Sequence, residues 1–415
     1  MSRPFESRNC PVAAFRAVMA LMCTGIMVAG VQAAEWTVRP DIRAGSSYND
    51  NARMSEIGDE ISVWGGFANL GAVFQRRTEL SSAVLRPRAI FHHFPDDSDE
   101  NASSAFLDFA TRTKGLRSQW DFAGNLEQSQ VLRSEIVRLD LPEPDLEEPD
   151  FGTTGRVNVR RTRTLLRLSP SYSYDLTERT STQARLDYTD ISFDREEFGQ
   201  ALDSRTISGS LSLNHQRSPV SRIRTTVFAS NFEAQGARNE TDSFGVRGRY
   251  ELDITERQRF FVDAGVQRTS IKAGIDSGID VSDTGFLLDV GTSRRWELTR
   301  MQISGGRSIQ PTGSGFLRRG DQLRLNVVHQ FLLRWYGELA AYGLRSRALA
   351  NEVDFNDRNY YDVRATIGHE ISRTWSIEGA AGWRHQDFLD QPGKAEAMEI
   401  SVAFRYGPRG HVWSR

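Results

Sequence analysis

Alternation of apolar and polar residues is the dominant pattern of this chain, and it is clearest over residues 164–188. Leu168 and Tyr172 fall on one parity, whereas Arg167 falls on the other. A period of two is the repeat of a β-strand. A soluble sandwich would turn the polar face outward, whereas a transmembrane barrel turns the apolar face to lipid and the polar face to its lumen. The pattern therefore restricts the chain to these two folds.

The N-terminus has the features of a secretory signal. Arg3, Arg8 and Arg16 precede or enter an apolar run over residues 17–31, and the sequence Val-Gln-Ala then ends at Ala33. Small residues at the first and third positions of such a triplet are typical of a cleavage site. We predict that residues 1–33 are removed as a signal peptide.

Composition excludes several classes of protein. The mean hydropathy is −0.48, and after residue 33 there is no apolar run of the roughly 18 residues that a membrane-spanning helix needs. A formal net charge of −2 gives no reason to expect nucleic acid as a partner. Cys10 and Cys23 are the only cysteines, so the processed chain is expected to lack thiols and disulfides.

The expected fold is all-β, a transmembrane antiparallel up-and-down barrel of about 18 strands (16–18) over residues 34–406. An even number of strands puts both termini on the periplasmic side, where residues 407–415 would form a tail. The predicted strands cover residues 36–45, 61–75, 79–92, 104–113, 116–131, 159–175, 180–191, 204–216, 221–232, 243–254, 258–269, 283–293, 298–306, 321–330, 334–345, 359–370, 374–386 and 396–406.

Connections and aromatic residues support the barrel. Short turns such as 177–179 and 255–257 alternate with long polar loops such as 46–60 and 132–156, as periplasmic turns and extracellular loops do. Aromatic residues near strand ends predict two girdles at the membrane boundaries. They are Tyr172, Tyr174, Tyr188, Tyr250, Phe260, Trp296, Trp335, Tyr361, Trp375, Trp383, Phe404 and Tyr406.

A ladder of arginines is predicted to face the lumen, beside nearly as many carboxylates. Two interpretations stay open: weak contacts with an anionic polymer, because a guanidinium pairs with carboxylate, sulfate or phosphate, or ion pairs that brace the wall. The arginines are Arg163, Arg167, Arg185, Arg222, Arg224, Arg247, Arg249, Arg300, Arg324, Arg364, Arg384 and Arg405. The carboxylates are Asp187, Glu251, Asp253, Asp263, Glu338, Asp362, Glu378 and Glu399.

The acidic loops and the histidines show no recognisable metal-binding or catalytic motif. The loop 132–156 and the tip 96–100 are rich in Asp and Glu but lack calcium-loop spacing. These loops are expected to stay solvated, to bind divalent cations beside lipopolysaccharide, or to fold inward as a constriction. The chain has seven histidines and no hydrolase or phosphate-loop motif, so we predict no enzyme activity and no cofactor.

Three segments resemble an outer-membrane β-barrel porin family that is often encoded with exopolysaccharide or capsule export genes. They are Tyr48-Asn49-Asp50-Asn51, residues 169–180 and the closing strand 396–406. The closing strand also looks like the signal read by the barrel assembly machinery. The resemblance implies an exit pore for a polysaccharide, supplied by a periplasmic export protein, and it implies no catalytic residues.

The sequence therefore predicts a bacterial outer-membrane channel that contacts lipid and lipopolysaccharide. The first function that we predict for this channel is to serve as the exit pore of an exopolysaccharide or capsular polysaccharide secretion system. Two alternatives stay open: a general diffusion porin for small solutes, and a non-conducting structural or adhesive barrel that acts through its acidic loops. The sequence does not decide between a monomer and a trimer.

Overall fold

The computed structural model describes residues 34–55, 58–97, 100–130, 162–194, 202–234, 239–273, 279–311, 317–348, 357–388, 393–407 and 411–414. The predicted signal peptide and the acidic loop 132–156 lie outside these ranges. Among the described residues, no helix is long and apolar enough to cross a membrane.

Nineteen strands make up the described structure, and eighteen of them are long. They are β1 (Glu35–Asn49), β2 (Val63–Arg77), β3 (Ser81–His93), β4 (Ala102–Lys114), β5 (Ser118–Gln130), β6 (Thr162–Thr177), β7 (Thr180–Phe193), β8 (Ser204–Ser218), β9 (Ser221–Ala234), β10 (Asn239–Thr255), β11 (Gln258–Ala273), β12 (Ile279–Arg295), β13 (Thr299–Pro311), β14 (Leu317–Leu332), β15 (Trp335–Ala348), β16 (Arg358–Glu370), β17 (Trp375–Phe388), β18 (Lys394–Tyr406) and β19 (His411–Ser414).

The sheet closes on itself. Each strand from β1 to β18 pairs antiparallel with its neighbour in sequence. β18 then pairs with β1, from Ile42 opposite Tyr406 to Asn49 opposite Glu399. Each of the eighteen long strands thus has a hydrogen-bonded neighbour on both sides, as a span through hydrocarbon requires. The predicted eighteen-strand antiparallel barrel is confirmed.

The two faces of the wall differ as the alternation predicts. On β8, Leu211 and Leu213 are about half exposed, while Ser212 between them is buried and its hydroxyl lies 2.8 Å from that of Thr226. On β18, Ile400 and Phe404 are likewise exposed. A belt of exposed aliphatic side chains outside a closed sheet is the surface that lipid covers.

Aromatic rings gather outside the barrel near the short turns. The ring centroids of Trp375 and Tyr406 lie 4.9 Å apart, and those of Trp120 and Tyr172 lie 4.5 Å apart. The imidazole of His369 lies 4.4 Å from the Trp335 ring. These residues form the girdle expected at a membrane boundary, where rings with one polar end are favoured.

The C-terminal tail carries a short strand that the sequence did not predict. Residues 411–414 form β19, which pairs antiparallel with the start of β1 and places Trp36 opposite Trp413. Along β1, the pairing register with β19 is offset by one residue from the register with β18. The tail therefore lengthens the seam between the first and last strands.

Candidate functional site in the lumen wall

The strand registers place the predicted arginines on the inward parity. On β6, Arg167 lies opposite Asn125, and on β16 Arg364 lies opposite Gly382. Every residue of the predicted set shares this parity: Arg163, Arg167, Arg185, Arg222, Arg224, Arg247, Arg249, Arg300, Arg324, Arg364, Arg384 and Arg405. Their contact with an anionic polymer stays a prediction.

Some of these arginines brace neighbouring strands. The Arg163 guanidinium lies 2.6 Å from the Glu127 carboxylate, which also accepts a hydrogen bond from the Ser129 hydroxyl at 2.6 Å. Arg384 lies 2.9 Å from Glu399. The side chains of both arginines are only 3% exposed. A buried guanidinium with a carboxylate partner has little freedom to contact a passing solute, so these two pairs stabilise the wall.

A larger cluster spans the seam where the first and last strands meet. The Glu378 carboxylate of β17 lies 3.1 Å from Arg43 of β1 and 3.7 Å from Arg405 of β18, and it accepts a hydrogen bond from the Tyr336 hydroxyl at 2.7 Å. Arg405 also donates to both carboxylate oxygens of Asp41, each at 3.0 Å. We call these five residues the seam cluster. Since they belong to four strands, they reinforce barrel closure beyond the backbone ladder.

A glycine makes this cluster possible. The ring of Tyr336 lies across Gly368 of the adjacent strand, where an added Cβ would come within 2.1 Å of a ring carbon. The phenol can therefore run along the wall to Glu378 on the strand beyond. A larger residue at position 368 would displace the ring.

Arginines of β9 and β10 form a more open group, here named the cationic patch: Arg222, Arg224, Arg247 and Arg249. Arg224 and Arg249 are directly opposite in the register. Like charges in facing positions are destabilising unless other groups compensate them. Arg224 donates to the Asn214 side chain at 2.7 Å, and Arg249 lies 2.9 Å from a Glu251 oxygen.

Aromatic rings hold part of the cationic patch in place. The Arg249 guanidinium lies over the ring of Phe261, 4.4 Å from its centroid, and that of Arg247 lies 5.6 Å from the centroid of Phe228. Cation–π contacts orient a guanidinium without neutralising its charge. Arg222 keeps 52% of its side chain exposed, and the carboxylate of Asp253 is 3.7 Å away. The patch therefore presents positive charge to the lumen.

Carboxylates lie directly beside the patch. Asp263 is opposite Arg249, and Asp289 is in turn opposite Asp263. One side of the lumen thus carries a cationic group and an anionic pair in adjacent strands. No group of three or more His, Cys, Asp or Glu side chains comes together with metal-binding geometry in the part of the chain that the structure describes.

Comparison with known proteins gives a fold likeness only. No family profile and no curated protein sequence matches the chain. OpdK from Pseudomonas aeruginosa with vanillate has a TM-score of 0.44 and 10% identity, over 91% of this chain and 99% of that one. OccAB2 from Acinetobacter baumannii has a TM-score of 0.45 and 9% identity, over 91% and 98%.

A third similar structure is the ferric-catecholate import receptor Fiu from E. coli K12, with a TM-score of 0.41, 8% identity and coverage of 88% of this chain and 81% of that one. Scores this low say nothing about what passes through a barrel. The closure of the eighteen long strands, the apolar exterior of the barrel and the short turns beside both termini are decisive instead. The chain is an outer-membrane β-barrel.

The registers of this outer-membrane barrel also reveal inward charges that the alternation alone did not identify. Most belong to the N-terminal strands, where alternation is weak; Arg86 and Arg88, for example, flank Pro87 on β3. With these included, inward arginines outnumber inward carboxylates among the described residues. The missed arginines include Arg39, Arg43, Arg77, Arg86, Arg88, Arg112, Arg259, Arg295, Arg318 and Arg358, and the missed carboxylates include Glu35, Asp41, Asp108, Asp121, Glu127, Asp283, Asp289 and Glu370.

Proposed function

We propose that this barrel is a passive diffusion channel for small hydrophilic solutes and that it prefers anions. The observation that carries the proposal is the excess of arginines over carboxylates on the inward face, of which the cationic patch is an exposed group: Arg222 and Arg247 in it are exposed to the lumen. Because inward arginines are in excess, the potential along the wall favours anions over cations of equal size.

The patch acts through many weak contacts. A unit charge about 10 Å from a passing ion in water contributes on the order of 0.4 kcal/mol, about a factor of two in local concentration. Contacts of this strength attract an anion and release it again, whereas a tight site would stall transport. Weak attraction of this kind would raise the local concentration of a dilute nutrient anion in the lumen while still letting it diffuse on into the periplasm.

Polysaccharide export, predicted from the family resemblance, stays a prediction. A polymer needs an unobstructed lumen through the whole wall, whereas the loop after β1 folds inward, where Met54 packs on inward-facing alanines of β18. This favours small solutes. Recognition of residues 396–406 by the assembly machinery, a periplasmic export partner and contact with lipopolysaccharide remain expectations from the sequence.

The selectivity test replaces two patch residues, Arg222→Gln with Arg247→Gln. We expect the anion-to-cation permeability ratio to fall about two- to fourfold at low salt and by less at 1 M salt, where the Debye length is about 3 Å. The measurement is the reversal potential of single channels in a planar bilayer under a salt gradient.

A matched control removes two arginines from the opposite face, Arg268→Gln with Arg345→Gln. Both lie on the outward parity of β11 and β15 and both are exposed. The control should keep the parental selectivity. If both double variants shift the ratio equally, the patch has no special role. If the parent protein does not conduct at all, the structural or adhesive alternative is favoured. If added polysaccharide, and no small anion, blocks the current through the parent channel, polysaccharide export is favoured over the diffusion of small solutes.

A further inference from the structure

The described part of the loop that joins β1 to β2, residues 50–55 and 58–62, packs against the inner side of the wall; we call it the mouth loop. Met54 is 1% exposed and packs on Ala395 and Ala397, which are 0% and 1% exposed. Both alanines lie on the inward parity of β18, since Ala397 is opposite Arg384. Because Met54 contacts these two inward-facing side chains, the mouth loop lies on the inner side of the wall at this point.

A second contact anchors the other end of the mouth loop. Ala52, Ile61 and Val63 pack with Phe94, the first residue after β3. Val63 lies on the inward parity of β2, opposite Asn49. The mouth loop therefore covers the inner side of the strands around the seam, near the extracellular rim.

Another glycine provides room for this packing. An added Cβ on Gly65, the next inward residue of β2, would lie 2.7 Å from Cδ1 of Phe94 and 2.1 Å from the carbonyl oxygen of His93. The wall is thus shaped to receive the aromatic ring that the mouth loop packs against.

Asn51 holds the mouth loop on the last strand. Its side-chain amide donates to the carbonyl of Ser55 at 2.8 Å and to the carbonyl of Glu396 at 2.9 Å, and its side-chain oxygen accepts from the Ser55 amide at 2.9 Å. Asn51 is 1% exposed. A buried amide group with three hydrogen bonds is costly to remove, because its partners are then left unsatisfied.

The preceding aspartate continues the strand pairing. The Asp50 amide donates to the carbonyl of Met398 at 3.1 Å, and the Met398 amide donates to the Asp50 carboxylate at 2.6 Å. The segment Tyr48-Asn49-Asp50-Asn51 thus ends β1, extends its ladder to β18 and turns the chain inward. This short sequence motif therefore has a structural role, which is to fix the point where the chain leaves the wall and enters the lumen.

Charge links the mouth loop to the loop after β3. The Arg53 guanidinium lies 2.7 Å from the Glu100 carboxylate, whose side chain is only 4% exposed.

The backbone also fixes the conformation of the mouth loop. Backbone hydrogen bonds from Gly58 and from its own amide lower the pKa of Glu60 below the ordinary range. Met54 has a φ of 51°. A non-glycine residue keeps this left-handed conformation only where the surroundings fix it.

We propose that the mouth loop is a fixed constriction that sets the upper size of the solutes entering the channel, with Asn51 as the residue that holds it in place. The inference rests on the proposed channel function and adds its size-selecting element. Solutes pass beside the mouth loop, between it and the opposite wall, and the loop stays docked during transport.

The central variant is Asn51→Ala, which removes the anchor to Ser55 and Glu396. We expect single-channel conductance to rise at least about 1.5-fold, since conduction follows the open cross-section, and larger neutral sugars to enter vesicles that carry the variant. The matched control is Asn231→Ala, an asparagine on the outward parity of β9 that bonds Glu240 and Asp242. Its conductance should equal that of the parent.

A crosslink separates loop release from misfolding. In the Asn51→Ala background, Met54→Cys and Ala397→Cys are joined by a short thiol–thiol crosslinker, which should return the conductance to the parental value; reduction of a cleavable linker should raise it again. Conductance that is unchanged by Asn51→Ala, or a rise that the crosslink does not reverse, overturns the constriction while leaving the channel function intact.

Thiol labelling reports docking without any need for conduction. A single Met54→Cys variant should resist a membrane-impermeant maleimide on intact cells and should react at least about tenfold faster once Asn51→Ala is added, because local opening is then less costly. Rapid labelling with Asn51 intact would overturn the docked loop. Absence of conductance in the parent, while the introduced thiol stays protected, would instead overturn the channel function, and the constriction with it.

Discussion

Arginine in place of Leu211 is expected to lower the free energy of unfolding by about 2–4 kcal/mol, the cost measured for a cationic side chain at the middle of the lipid-facing wall of a barrel. Leu211 lies at the centre of β8 and is 56% exposed on the outward face. Hydrocarbon cannot hydrate a guanidinium, so the variant must distort the bilayer or expose the charge to the interface.

The matched variant is Ser208→Arg, three positions away on the same strand but facing the lumen. Ser208 is opposite Asp187, which already pairs with Arg185 at 2.8 Å, so a new guanidinium shares this carboxylate and stays in contact with the water of the lumen. We expect its unfolding free energy to stay within about 0.5 kcal/mol of the parent, as for most exposed polar substitutions. Urea unfolding of the barrel in lipid vesicles, followed by tryptophan fluorescence, measures both. Equal losses at the two positions would contradict the assigned sidedness.

The same sidedness explains why so much of the fold is predictable from the sequence. Only the lipid-facing parity must be apolar, so a strand such as β7 shows its period directly; residues 180–191 are predicted and Thr180–Phe193 are observed. The lengths of the connections add the orientation of the barrel in the membrane, because short turns lie on the periplasmic side and long loops on the extracellular side. These two local signals determine an up-and-down barrel because each strand pairs with its neighbour in sequence.

Prediction is less accurate where strands leave the membrane. β10 is predicted over residues 243–254 but begins at Asn239, and β12 is predicted over 283–293 but begins at Ile279. Beyond the lipid both faces meet water, so the alternation disappears although the hydrogen-bonded ladder continues. The four-residue strand β19 is too short to show any period.

The site is predictable in its chemistry but not in its pairings. The alternation within one strand predicts that an arginine faces inward. It does not predict the pairing register between strands, which brings Arg43 within 3.1 Å of Glu378. Asn51 and Glu396 are 345 residues apart in sequence and meet only because the barrel closes. The mouth loop was therefore visible in the sequence only as a short motif without a role.

Removal of Glu378 is expected to destabilise the closed wall, because two arginines share its carboxylate. Glu378→Ala leaves Arg43 and Arg405 beside a space without their shared carboxylate, and the side chain of Glu378 is only 7% exposed. Arg43 and Arg405 keep 22% and 43% of their side chains exposed, so water in the lumen compensates part of the loss, and the expected cost is about 1–3 kcal/mol. We expect a loss of this size in urea unfolding and a lower temperature for conversion of the folded to the unfolded band on a gel.

An exposed ion pair supplies the control for this prediction. Asp253 lies 2.9 Å from Arg259 on neighbouring strands of the inward face, with side chains 29% and 55% exposed. Such a pair contributes about 0–1 kcal/mol, because water in the lumen and salt screen it, so Asp253→Asn should change little. If Glu378→Ala costs no more than this control, backbone pairing alone closes the barrel. If it costs several times more, the seam cluster holds β1 and β18 together, and a contact between the ends of the chain controls the stability of the whole wall.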